Sequence, residues 1–365
     1  MKILITTGIY PPDIGGPATY SKLLFDKLPA RGFDVEVLSF GEVRHLPKII
    51  RHFVYFFKIL KKGRKVDVIY SQDPVSVGLP TMLANKILKK RFLIRIAGDY
   101  AWEQGVQRFR VKDKLDDFYL ENKKYNWQVN LLKKIQTKVA QSAEKIIVPS
   151  KYFKGVIENW GIDVDKIKVI YNGIELNQSE VHNVHKVEGK VLLSVGRLVP
   201  WKGFDVLIEC MPELMKKIPG IQLKIVGGGP DEKRLKKIIQ INHLEENVIL
   251  VGSLEREKTL EEMQKVNVFV LNTQYEGFAH QLIEVASLKT PIITTNIGGN
   301  PELIQNGIDG ILIEPNNKEQ IISSIVKVLV NEEFKNKIVE NAYNKSQQFS
   351  IENTLNQLEK VLTNE

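Results

Sequence analysis

Short β-branched runs alternate with amphipathic stretches along the whole chain, and the alternation occurs twice. Strands are predicted at Lys2–Thr7, Asp34–Ser39, Asp67–Tyr70, Phe92–Ile96, Lys145–Val148 and Lys168–Ile170. Helical periodicity lies between them, as at Ala18–Leu28, Val75–Leu88 and Tyr152–Asn159. Residues 178–189 are polar and aperiodic and read as a linker. The pattern then restarts, with strands at Lys190–Val195, Gln222–Val226, Val248–Val251, Val268–Leu271, Pro291–Thr294 and Gly310–Ile313. Strands alternating with helices imply parallel sheets built from crossover units. The expected fold class is therefore α/β, with two doubly wound, Rossmann-like domains, 1–177 and 190–349, facing across a cleft. A length of 365 residues suits two domains. A last helix, about residues 350–365, can cross back to the first domain. Ligands of open parallel sheets bind beyond the carboxyl ends of the strands, so the loops there are where chemistry is sought.

Composition removes several classes. A single cysteine, Cys210, allows no internal disulfide and no Cys-based zinc or iron–sulfur site. On a helical pattern it reads as a small buried apolar residue. The N-terminus, MKILITTGIYPP, lacks a signal-peptide pattern, and no apolar run reaches the ~18 residues of a spanning helix. A cytoplasmic protein is expected. The net charge of +9 is uneven: residues 1–188 hold 32 Lys and Arg against 20 Asp and Glu. Such a half suits an anionic partner, for which nucleic acid, a membrane surface and a phosphorylated substrate are the candidates. The densest stretch is Lys48–Lys65, with seven Lys and Arg and no acid. At helical spacing Ile49, Ile50, Phe53, Phe56, Phe57 and Leu60 share a face expected to pack on the first sheet. That leaves Arg51, Lys58, Lys62 and Lys65 outward, suited to an anionic leaflet.

Five junctions carry the residues of chemical interest. Gly15 and Gly16 open a helix after the first strand, where backbone N–H groups can approach a phosphate; a tight turn is the plainer reading. Gly196 and Arg197 follow the first strand of the second domain, with Lys202 five residues on. Two cations at a strand's carboxyl end can hold a diphosphate, although exposure to solvent is the commoner fate of Lys and Arg. Gly227, Gly228 and Gly229 lack the third glycine of a dinucleotide fingerprint, which argues against a nicotinamide enzyme. They leave room for a flat base or a close backbone. Glu276-Gly277-Phe278-Ala279 leads into a helix bearing Glu284, whose carboxylate can accept two hydrogen bonds from a vicinal diol such as ribose if it turns inward. Gly298-Gly299-Asn300-Pro301-Glu302 precedes a further short helix. Two other groupings carry less. Asp163-Val164-Asp165 reads as a solvated turn, and His182 and His185 in the linker lack a third ligand for zinc.

Taken in order, the Gly15-Gly16 loop, Val169–Glu175, Ser194–Gly203, Val226–Pro230, Glu276–Glu284 and Gly298–Glu302 resemble the retaining nucleotide-sugar glycosyltransferases of family four, which have the GT-B fold. The resemblance covers essentially the whole chain. It implies an acceptor-binding first domain and a donor-binding second one. It assigns Arg197 and Lys202 to the diphosphate, Glu284 to the ribose hydroxyls and Glu276 to the donor sugar. Gly277, Phe278 and Ala279 match backbone facing sugar and phosphate, Gly16 matches the loop glycine near the phosphates, and Leu254 lies in the stretch that meets the base. Gly15, Gly196 and Gly229 belong to the same donor-binding set. It also implies no metal and no cofactor, a nucleotide-sugar donor, and a saccharide or lipid-linked acceptor rather than nucleic acid. The sequence departs from the family where a histidine often follows the fourth strand. Ala97 stands there, and Asp99 or Glu103 are the candidates to replace it. A turn or helix cap is the equal alternative for Asp99. Two rival readings are a dehydrogenase-like Rossmann enzyme and a non-catalytic protein that kept the fold.

Overall fold

The computed structural model describes residues 1–13, 15–120, 122–175 and 189–364. All of the expected linker but Gly189, including His182 and His185, lies outside the described residues. The chain forms two units, Met1–Tyr171 with Leu355–Glu365, and Asn172–Thr354.

In the first unit β1 (Lys2–Thr7), β2 (Asp34–Ser39), β3 (Val68–Ser71), β4 (Arg91–Arg95), β5 (Lys145–Val148) and β6 (Ile167–Val169) make one sheet in the order β2-β1-β3-β4-β5-β6. Its described pairings are all parallel. The crossovers carry α1 (Gly16–Lys27), α2 (Lys48–Gly63), α3 (Gly78–Leu88), α4 (Tyr100–Phe109), α5 (Trp127–Ser142) and α6 (Lys151–Glu158). In the second unit β7 (Lys190–Val195), β8 (Ile221–Val226), β9 (Val248–Gly252), β10 (Val268–Leu271), β11 (Ile292–Thr295) and β12 (Ile311–Ile313) pair as β12-β11-β10-β7-β8-β9. Its helices are α7 (Phe204–Lys217), α8 (Glu232–Ile241), α9 (Arg256–Lys265), α10 (His280–Ser287), α11 (Asn300–Leu303), α12 (Lys318–Val330) and α13 (Glu332–Ser346). The chain closes with α14 (Ile351–Thr363), whose Leu358 and Leu362 are fully buried. Within the first unit Arg31 bonds Glu359 at 2.7 Å, and Arg91 donates to the Leu362 carbonyl.

Sheets covered on both faces need strands apolar on both faces. β3 and β10 are buried at every position, whereas β2, at an edge, alternates. Cys210 is a buried apolar residue on α7, and burial pushes its thiol up to about 12. Asp163 caps a short turn by accepting from the Asp165 N–H at 3.0 Å, which fits a solvated turn.

One helix face departs from expectation. On α2 the stripe turned to the core is Tyr55 and Ile59, both fully buried, with the Tyr55 hydroxyl donating to the Leu38 carbonyl at 2.8 Å. Phe56 and Leu60 pack only partly, while Ile50, Phe53 and Phe57 stand 51, 63 and 62% exposed. Lys58 and Lys62 do not point freely outward; they pair with Glu42 and Glu36 at 2.6 Å. Apolar side chains stand on both the buried and the exposed side of the helix. The inner stripe is thus settled by which residues fit the sheet, here a tyrosine whose hydroxyl finds a buried acceptor.

Among the described glycines, the least room for a side chain lies just past the ends of β7 and β8. Gly227 has φ +143°, and a Cβ there would sit 1.8 Å from the Gly196 carbonyl oxygen. Gly220 also has a positive φ, +76°, but nothing lies within 4 Å of its Cβ position. Gly227→Ala should therefore cost about 3 kcal/mol or more, and Gly220→Ala about 1 kcal/mol. Thermal unfolding of the two variants checks this: equal losses would mean that backbone conformation, not the contact with Gly196, sets the cost.

Candidate functional site

The site is built in the second unit from loops at the carboxyl ends of its strands. The β7 loop and the glycine loop after β8 are laced together. Leu198 N–H donates to Gly228 O at 3.0 Å, and Asp231 N–H returns a bond to Leu198 O at 3.1 Å. A Cβ on Gly229 would lie 2.3 Å from that Leu198 oxygen. Of the two uses expected for the triple glycine, the structure displays close backbone approach. Gly196 and Arg197 are held at this junction, and the Arg197 side chain is exposed.

The next turn, Pro200–Lys202, is tied to the loop after β10. Gln274 N–H donates to the Trp201 carbonyl at 2.7 Å, and Asn272, fully buried, donates to the Gly203 carbonyl at 3.1 Å. Asn272 also exchanges bonds with Asn316, accepting from its N–H and donating to its Oδ1, both at 2.9 Å. Sequence reasoning missed Asn272. Its signal is a lone amide directly after the apolar strand Val268–Leu271, where a buried polar group must find partners.

These ties bring two predicted residues together. Lys202 Nζ contacts Glu276 Oε2 at 2.5 Å, and the side chains are 14 and 19% exposed. Gly299 N–H donates to the Glu276 carbonyl at 3.1 Å, which draws the Gly298–Gly299 loop to the same place. Gly277, Phe278 and Ala279 follow, all buried, and lead into α10, which starts without a side-chain cap. A helix start of this kind favours an anion.

Glu284 sits on α10 among Leu282, Ile283, Val285 and Ala286, all buried. Its own side chain is only 16% exposed, and Arg256 Nε lies 3.3 Å from Oε1. Burial pushes the Glu284 carboxyl above its ordinary range, and the Arg256 guanidinium pulls in the opposite direction. Arg256, at the first position of α9, is a second residue that sequence reasoning did not single out. Leu254, after β9, is half-buried.

The remaining predicted residues lie in the first unit. Gly15 is the N-cap of α1, its carbonyl accepting from Ala18 and Thr19 N–H, and Gly16 is the first helical residue. Asp99 is fully buried and caps α4. Its Oδ1 accepts from Trp102 N–H at 2.8 Å and from Gln136 at 3.1 Å, while Oδ2 accepts from Tyr119 at 2.5 Å. Burial raises its carboxyl against these lowering bonds. Of the two readings of Asp99, the structure displays the helix cap.

The pattern of the family "Glycosyl transferases group 1" matches residues 177–345, and that of "Glycosyltransferase Family 4" matches residues 14–178. An uncharacterized glycosyltransferase of Methanocaldococcus jannaschii is 27% identical over 99% of this chain and 97% of its own length. The poly(ribitol-phosphate) alpha-N-acetylglucosaminyltransferase of Staphylococcus aureus is 31% identical over 52% of this chain and 38% of its own. Among solved structures, sucrose-phosphate synthase from Thermosynechococcus elongatus aligns with a TM-score of 0.79 at 18% identity, covering 100% of this chain and 98% of that one. Anabaena HepE in complex with UDP-glucose aligns with a TM-score of 0.78 at 19% identity, covering 100% of both.

The opposing influences on Glu284 give a direct test. Removing the cation in Arg256→Gln leaves burial unopposed, so the Glu284 titration should move to higher pH. Carbon-detected NMR of labelled glutamate carboxyls reads this, and an unmoved midpoint would mean that Arg256 does not act on Glu284.

Proposed function

The chain belongs to the group 1, family 4 glycosyltransferases, nucleotide-sugar enzymes of GT-B fold, and on that footing we propose how its second unit holds the donor. The observation that carries the reading is the Lys202–Glu276 pair beside the start of α10, with a buried carboxylate on that helix. Lys202 and Arg197 meet the diphosphate of a UDP- or GDP-sugar. Glu284 accepts the ribose hydroxyls, Leu254 borders the base, and Glu276 turns to the sugar hydroxyls when Lys202 leaves it for phosphate. The first unit binds the acceptor. HepE in complex with UDP-glucose supports a uridine donor.

Transfer proceeds with retention. The bond from the anomeric carbon to the diphosphate oxygen breaks, and the acceptor hydroxyl bonds to that carbon on the same face. Its proton passes to the departing diphosphate. The protein positions two substrates and stabilises the charge that grows on the leaving group, which is the work of Arg197, Lys202 and the helix start. The acceptor is a saccharide or a lipid-linked saccharide of cell-surface polysaccharide or glycolipid synthesis. The poly(ribitol-phosphate) alpha-N-acetylglucosaminyltransferase supports transfer of a sugar to a hydroxyl-bearing polymer.

Three variants separate these roles. Lys202→Ala should lower turnover by about 10²–10³, as loss of one preorganised charge-stabilising donor does. Calorimetry should show weaker nucleoside diphosphate binding in Glu284→Ala, and no weakening in Glu276→Gln, which nonetheless loses sugar transfer. Acidification should weaken nucleoside diphosphate binding too. The ionised Glu284 carboxylate accepts the ribose hydrogen bonds, and its raised titration makes the decline begin at higher pH than for an ordinary carboxylate. Wild-type turnover in Lys202→Ala, or the reverse ranking of the two glutamates, would overturn the assignment.

A further inference from the structure

The exposed stripe of α2 is continued by its neighbour. Ile50, Phe53 and Phe57 recur at three- and four-residue spacing and form one ridge. On α3, Leu83 and Ile87 are 43 and 63% exposed, one turn apart. The helices lie side by side: Tyr55, Ile59 and Ala84 share one core cluster, with Phe56, Leu60 and Leu88 packed against it. A Cβ on Gly63 would reach 2.5 Å from Leu88. α2 connects β2 to β3 and α3 connects β3 to β4, in the same direction along the sheet. Right-handed crossovers therefore put both helices on one face, running the same way. Their C-terminal ends share an edge of that face.

That edge is cationic. Lys61 lies in the last turn of α2 with Arg64 and Lys65 just beyond it, and Lys86 lies in the last turn of α3 with Lys89 and Lys90 just beyond it. Among the described residues, Lys61, Lys86 and Lys89 are exposed and pair with no carboxylate. Neither 48–65 nor 78–91 contains an acid. A second copy of the same face would meet it with like charge, which disfavours self-association. Protruding phenylalanines beside long cationic side chains suit a surface that yields to them and is negative. Aromatic and aliphatic side chains enter the headgroup–acyl boundary, while lysine stems stay apolar and their ammonium groups reach phosphate.

We propose that α2 and α3 form a face that seats on an anionic lipid surface, with Ile50, Phe53, Phe57, Leu83 and Ile87 entering the acyl boundary and Lys61, Lys86 and Lys89 meeting headgroup phosphates. The phenylalanines drive the attachment and the lysines select the lipid. Of the wider reading it uses only the lipid-linked acceptor, which such seating would bring to the enzyme. Among the described residues no helix is long and apolar enough to cross a membrane, so the attachment is peripheral.

Co-sedimentation with phosphatidylcholine vesicles, with and without phosphatidylglycerol, tests the proposal. The wild-type chain should pellet with phosphatidylglycerol vesicles at low salt and release as salt rises. The double variant Phe53→Ser/Phe57→Ser should lose at least about ten-fold in partitioning. Lys61→Gln, Lys86→Gln and Lys89→Gln should each lose about five-fold toward anionic vesicles. Sedimentation velocity without lipid should give the same species for wild type and double variant. Absence of pelleting, equal pelleting with neutral vesicles, or an unchanged double variant would overturn the proposal. So would a wild-type dimer that the double variant splits, since the face would then bind a second copy. Hydrolysis of nucleotide sugar by water, measured without lipid, separates the two readings. Intact hydrolysis with no vesicle binding defeats the membrane face alone, whereas vesicle binding with no hydrolysis defeats the donor assignment alone.

Discussion

The Gly227 backbone lies against the Gly196 carbonyl so closely that a side chain at Gly227 would force the strand ends apart. The second unit's chemistry depends on that approach. It fixes where β7 releases the chain, and so where Arg197 and the Pro200–Lys202 turn begin. The glycine loop after β8 is then pinned in both directions, through Leu198 N–H to Gly228 O and Asp231 N–H to Leu198 O. On the other side, Asn272 ties the start of α7 to the end of β10 and to Asn316. A cation on a short turn would otherwise sweep a wide volume. Here its backbone is fixed by neighbours on two sides, so reorganisation during charge transfer is small.

The sequence made the sheets legible because parallel strands buried on both faces leave short, nearly continuous apolar runs. All twelve strands appear within a residue or two of their expected bounds. The bounds differ because ladder hydrogen bonds, not side chains, decide where a strand stops. The α2 orientation was not legible. Ile50, Phe53, Phe57, Tyr55 and Ile59 are all apolar in bulk, and periodicity counts them alike. What distinguishes Tyr55 is a hydroxyl that meets the Leu38 carbonyl, a partner 17 residues away in the chain and invisible to a pattern. Asp99 shows the same limit from the other side. A carboxylate after a glycine suits chemistry or a cap equally, and only Gln136 and Tyr119, supplied by distant segments, decide between them.

The candidate site was legible residue by residue but not in its pairings. Lys202 and Glu276 were each singled out for a different part of a ligand, yet they meet one another. An ion pair this enclosed recovers its desolvation cost only while both partners are present. On the proposed reading, a phosphate arriving at Lys202 would replace one anion by another, so the cation would keep a counter-charge while the glutamate turned to hydroxyl groups. Arg256 escaped notice because an exposed arginine at a helix start is ordinary; its meaning comes from the buried carboxylate beside it.

Helix geometry explains why two glutamates so close in sequence behave differently. Side chains on a helix lean toward its N-terminus. Glu284 lies one turn inside α10, near the positive end of the helix dipole. Two carboxylates near one helix start would themselves occupy the position an anionic ligand needs. Each is restrained by its own means. Glu276 is held by Lys202, and Glu284 is shifted toward its neutral form by burial, with Arg256 opposing that shift. The start of α10, uncapped by any side chain at Ala279, keeps its attraction for an external anion. The same burial that makes Glu284 costly to ionise makes it strong as a hydrogen-bond acceptor once ionised, because water competes poorly there.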